Sequence, residues 1–161
     1  MTRHEQEPGP RDPADETRVV IIGVAASDSH AVANQLIAYG LRELGFTVVN
    51  LGTCTSVSEF AEACARHPAA EAVLVGSLNG QVHEDLADLP AARKSGAIPV
   101  PVIVGGNLSV GSHKDDSAHG RLYALGVDRI LASPDELPGV LDELREDARR
   151  RADVTVRRGA Q

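Results

Sequence analysis

Asp28 and His30 stand two residues apart in "SDSHAVAN" (27–34), directly after the aliphatic run "RVVIIGVAA" (18–26). A carboxylate and an imidazole at that spacing can act as a pair. One ring nitrogen binds a metal while the other donates to the carboxylate, which fixes the tautomer and makes the ligand more basic. A merely solvated loop can carry the same two residues, so the pair acquires meaning only from its surroundings. Other polar groups offer less. Cys54 and Cys64 match neither a metal knuckle nor a redox C-x-x-C pair and read as free thiols. His83, Glu84 and Asp85 read as the polar start of a helix, where acids are favoured by the dipole. His113, Asp115, Asp116 and His119 fit no metal-ligand spacing, and His4 and His67 invite no chemistry.

The elements that must position the pair follow from hydrophobic pattern. "RVVIIGVAA" (18–26), "TVVNLG" (47–52), "AVLVGSL" (72–78), "VPVIVGG" (100–106) and "RILAS" (129–133) are short, β-branched and nearly continuous, as strands buried on both faces are. Between them, Ala33, Leu36, Ile37, Gly40, Leu41 and Leu44 recur at helical steps before Gly45. Ser56 and Glu59 open a second helix with a capping-box signature. Pro90 and Gly120 interrupt the third and fourth helical segments. Ser133, Pro134 and Glu136 supply an N-cap, an N1 proline and an N3 acid for a last helix that runs to about Arg150. Strands alternating with helices imply an α/β, flavodoxin-like (Rossmann-like) doubly wound five-stranded parallel sheet of order 2-1-3-4-5. Ligands of such sheets bind outside the carboxyl ends of the strands. Residues 27–31, 76–79 and 105–109 should meet there.

Composition narrows the function. The 161 residues suit one domain, expected over 18–150, between a disordered lead-in (1–17) and a basic flexible tail (151–161). A net charge of −7 argues against nucleic-acid affinity, and Arg149, Arg150, Arg151, Arg157 and Arg158 read as a solvated end. The polar start lacks a signal peptide and no apolar run would span a bilayer, which points to the cytoplasm and no membrane partner. Two Phe, two Tyr and no Trp leave no aromatic sandwich for a flavin. A phosphoacceptor receiver needs an Asp ending strand 3 and a Lys after strand 5, where this chain has Ser77 and Ala132-Ser133. Neither G-x-G-x-x-G nor G-x-x-x-x-G-K-[ST] occurs.

D-x-H after strand 1, a serine ending strand 3 and a G-G pair ending strand 4 resemble the cobalamin-binding signature of base-off, His-on enzymes. More narrowly, "SDSHAVAN", "VNLG", "VGSLNGQ" and "VGGNLSVG" resemble the small (sigma) subunit of glutamate mutase, also called methylaspartate mutase, from about Val19 to Leu144. The resemblance implies that His30 is the axial ligand to the cobalt of adenosylcobalamin and Asp28 its hydrogen-bonded partner, with Ser27, Ser29 and Ala31 beside them. It implies that Gly76, Ser77 and Leu78 meet the cofactor's displaced nucleotide tail, Ser77 through its hydroxyl, and that Gly105, Gly106, Asn107, Leu108 and Ser109 let the backbone approach that tail. Small residues at Ala26, Ala31, Ala33, Gly76, Gly105 and Gly106 suit a slot for such a tail, although a glycine pair after strand 4 is also an ordinary tight turn.

The resemblance further implies a cofactor-presenting subunit with no catalytic residue of its own, in a heteromeric complex with a larger barrel-type catalytic subunit. That complex interconverts L-glutamate and threo-3-methylaspartate by radical carbon-skeleton rearrangement. A corrinoid carrier would use the same loop but normally has a helical cap before the sheet, and a non-catalytic cobalamin-binding regulator is the other alternative. The chain departs from the family pattern twice: Ala33 replaces the glycine of D-x-H-x-x-G, and Asn79 stands where the family carries Tyr.

Overall fold

The computed structural model describes residues 17–106 and 116–160. Strands β1 (Val19–Val24), β2 (Thr47–Asn50), β3 (Ala70–Ser77), β4 (Val102–Gly106) and β5 (Arg129–Leu131) form one parallel sheet, ordered β2-β1-β3-β4-β5. The helices are α1 (Ala31–Glu43), α2 (Val57–Arg66), α3 (Val82–Asp85), α4 (Leu89–Ser95), α5 (Asp116–Leu125) and α6 (Leu137–Gly159). This is the expected doubly wound topology.

The near-continuous hydrophobicity of the strands follows from burial on both faces. Alternate side chains enter opposite cores. Val20, Ile22, Leu74 and Ile103 pack with Ala38 and Leu41 of α1 and Leu141 of α6. Ile21, Val73, Val75 and Val104 pack with Phe60 of α2, Leu89 of α4 and Leu122 of α5. Each such side chain contributes about 1.5–3 kcal/mol on burial, so the sheet is a rigid platform. Ion pairs fasten its amino-terminal end, away from the candidate site. Arg18 pairs with Glu71 at 2.6 Å and Asp142 at 2.5 Å and lies over Phe46, and Arg93 pairs with Asp128 at 3.0 Å.

The helices differ from expectation in detail. The helical series on α1 divides between two sides: Leu41 is buried on the sheet together with Asn34 and Ala38, while Leu36 and Leu44 are 67% and 60% exposed. The small Ala38 makes the close approach. The wider apolar series instead borders a groove against Pro134, Leu137 and Pro138. The third helical segment is broken just ahead of Pro90, into α3 and α4, and Pro90 sits in the first turn of α4. Gly120 lies within a continuous α5. The last helix opens with a 3-10 turn over Pro134–Glu136, capped by the Ser133 hydroxyl, and does not stop near Arg150. Residues 151–159, expected as a flexible tail, continue α6. Of the expected lead-in and tail, residues 1–16 and 161 lie outside the described residues.

The carboxyl end of the sheet is held by one demanding contact. Gly106 has φ +114°, and a Cβ there would run into the backbone carbonyl of Ser77 on the neighbouring strand. Gly106→Ala is expected to lower unfolding free energy by about 2–4 kcal/mol, combining backbone strain with overpacking. Gly40, in α1, has nothing within 4 Å of a would-be Cβ. Gly40→Ala should stabilise by up to about 1 kcal/mol. Urea unfolding of both variants checks the pair of signs.

Candidate functional site

β1 delivers the chain to the sheet's carboxyl end, and there the backbone turns. The Asp28 amide donates to the Ala25 carbonyl at 2.9 Å, and the Asp28 carbonyl accepts from the Cys54 amide at 3.0 Å. Asp28 is thereby turned inward and is 1% exposed. A buried carboxylate must be matched by donors, and three converge on it. Oδ2 accepts the Leu78 amide of the β3 exit at 2.5 Å, and Oδ1 accepts both the His30 amide at 2.9 Å and the His30 ring Nδ1 at 2.6 Å.

Burial alone would push the Asp28 carboxyl up. The backbone donors Leu78 and His30 and the His30 ring outweigh it and hold the group below the usual carboxylate range. The ionised carboxylate can only accept, so Nδ1–H donates the hydrogen bond to it and Nε2 is the ring nitrogen left free of it. The His30 side chain is 60% exposed where Asp28 is fully enclosed. An imidazole held at Nδ1 by a carboxylate and open to its surroundings at Nε2 has the geometry by which a histidine can ligate a metal from one side.

Beside His30 opens a cavity of about 270 Å³, bounded by α1 on one side and by the β5–α6 connection on the other. Ala33 and Ile37, Gly76 and Gly105, Pro134 and Leu137 give it an apolar wall. Ser77 also lines it, is fully buried, and its hydroxyl has no hydrogen-bond partner among the described residues. A buried polar group without a partner costs about 1–3 kcal/mol unless something satisfies it. A long apolar slot with one unmet hydroxyl and an exposed imidazole at its mouth fits a flat organic metal complex with an extended polar-edged tail. It fits a free hydrated metal ion poorly, because a single nitrogen ligand offers no cage.

The structure brings His30, Gly76, Ser77, Leu78, Gly105 and Gly106 to this cavity, with Asp28 directly behind His30. Ala33, the departure from the family glycine, presents its methyl group to the same space. Ser27, Ser29 and Ala31 are exposed and do not line it. Asn107, Leu108 and Ser109 lie outside the described residues, as do His113 and Asp115. Leu131, Pro134 and Leu137 form the far wall, at a strand-5 exit that carries no motif in the sequence. Asp85, read as a helix-start acid, lies in the first turn of α3 and also bonds Ser27.

Comparison with known proteins gives the same picture a lineage. The family model for a B12 binding domain matches residues 18–120. The glutamate mutase sigma subunit of Halobacterium salinarum is 38% identical over 143 residues, covering 88% of this chain and 95% of the relative. That of Treponema denticola is 34% identical, covering 80% of this chain and 92% of its own. Among solved structures, a cobalamin-binding protein from Desulfitobacterium hafniense superposes with a TM-score of 0.60 at 16% identity, over 83% of this chain and 59% of that one. One in the methanol:cobalamin methyltransferase complex of Methanosarcina barkeri superposes at 0.55 and 22% identity, over 77% of this chain and 46% of its own. These two likenesses concern the fold.

Asp28→Ala is expected to cost about 1–3 kcal/mol at neutral pH, because the Leu78 amide loses its acceptor. The folded-state carboxyl sits below its unfolded value of 3.8, so its contribution is fully present above that pH and is lost as pH falls through the depressed value. The stability gap between the parent chain and Asp28→Ala should therefore be constant near neutrality and narrow in acid. Denaturant unfolding at several pH values reads this directly.

Proposed function

Because the chain belongs to the glutamate mutase sigma subunit family and carries its B12 binding domain, we propose that His30 would hold the cobalt of adenosylcobalamin, which the chain would present to a larger catalytic subunit. The complete enzyme is an isomerase that interconverts L-glutamate and threo-3-methylaspartate. The observation that carries the assignment of His30 is its ring, locked at Nδ1 by a buried carboxylate and open at Nε2, at the mouth of an apolar slot with an unsatisfied Ser77 hydroxyl.

When bound, adenosylcobalamin supplies the homolysis and radical chemistry. The residues of this chain do the holding. Asp28 retains the proton on Nδ1 and orients the ring, so that Nε2 is offered to cobalt in one direction. Ala33, Ile37 and Leu137 exclude water along the slot, Gly76 and Gly105 leave room for the tail, and Ser77 supplies a hydrogen bond within it. Asn107, Leu108 and Ser109 extend the same β4 exit in sequence and are assigned to the tail by family resemblance alone.

Among the described residues no Arg or Lys lines the slot to receive the two carboxylates of glutamate. Substrate recognition therefore falls to the partner subunit, for which we favour a barrel whose open end faces the corrin. A cytoplasmic heteromer is the setting this implies, and among the described residues no helix is long and apolar enough to cross a membrane.

Electron paramagnetic resonance of cob(II)alamin mixed with the chain tests the assignment. With nitrogen-15 histidine the superhyperfine triplet should become a doublet, and His30→Ala should abolish that change. An unaltered triplet at saturating cofactor would remove His30 from the cobalt.

A further inference from the structure

Ser27 immediately precedes the Asp28–His30 pair and is exposed, so its polar groups could all be satisfied by water. They are instead bonded to a segment more than fifty residues away. Its amide and hydroxyl donate to the Asp85 carboxylate at 3.2 and 2.8 Å. Its carbonyl and hydroxyl oxygens accept from the Asn79 amide nitrogen at 3.1 and 2.9 Å. Asn79 Oδ1 accepts the Gln81 amide at 3.0 Å, which sets the amide so that its nitrogen must face Ser27.

The arrangement has a register. Ser27 is joined to Asn79, and the next residue, Asp28, is joined through Oδ2 to the amide of Leu78. One link between two loops is a pivot. Two links at successive residues fix a direction, and the His30 ring takes its direction from Asp28. From these contacts we infer that Asn79 and Asp85 are positioning residues for the His30 loop, clamping Ser27 to the β3–α3 connection so that the imidazole is aimed before any cofactor arrives. The inference rests on the reading of His30 given above.

The short Asn79 amide reaches two acceptors on Ser27 at once. Asp85 lies at the end of α3, whose four residues give little dipole for an acid to serve. Its two oxygens each accept from Ser27. Exposed hydrogen bonds are individually weak, but these lie beside the mouth of the slot. A corrin and partner subunit covering them would exclude water and strengthen them.

The test uses the full chain with Asn79→Ala, Asp85→Ala and Asp85→Asn, the last of which keeps an acceptor for Ser27. In cofactor-free protein, amide exchange at His30 and Leu78 should accelerate about three- to tenfold in both alanine variants while the urea midpoint stays put. Cob(II)alamin affinity should weaken by a similar factor. Asp85→Asn should restore most of both. Parent-like exchange and affinity in both alanine variants would overturn the clamp. If the parent chain binds no cob(II)alamin, the cofactor reading falls, and the exchange rates in the free protein still decide whether Asn79 and Asp85 hold the loop.

Discussion

A single buried carboxylate governs the working end of this protein. Asp28 ties together three elements at one point: the exit of β1, the start of α1 and the exit of β3. A charge withdrawn from water is costly unless its partners are complete. Here the partners are two backbone amides and one ring nitrogen, none of which can leave without exposing the cost. The geometry of the His30 ring is thus tied to the stability of the sheet end.

The platform makes that tie possible. A parallel sheet covered on both faces consigns its interior to aliphatic side chains, so polar chemistry can appear only where strands end. In this chain the central strands end in small residues. Gly76-Ser77 of β3 lies against Gly105-Gly106 of β4, and α1 and the start of α6 stand off to either side. The slot is the space those helices do not fill, and its mouth is where the imidazole stands.

The sheet order was legible because five β-branched runs leave few topologies open. The D-x-H pair was legible because a strand exit is where such a pair can act. Helix faces were harder. In α1 the apolar residues spread over a sheet-facing side and a groove-facing side, so spacing alone could not identify Ala38 as the buried contact. The far wall of the slot, at Leu131, Pro134 and Leu137, comes from the last strand and helix and leaves no motif. The roles of Asn79 and Asp85 depend on long-range contacts with Ser27, which no local pattern encodes.

The glycines of the slot differ in what they answer to. At Gly106 a methyl group meets the backbone of Ser77 and φ is positive, so the fold itself forbids substitution. At Gly76 the nearest atom to a new methyl is a backbone oxygen 3.8 Å away, and at Gly105 it is Leu131 Cβ at 3.6 Å, both ordinary contacts. The protein alone would tolerate alanine at either. A descendant chain relieved of its guest would be free to drift at 76 and 105 while remaining captive at 106, so the three positions together would record whether a lineage still carries its cofactor.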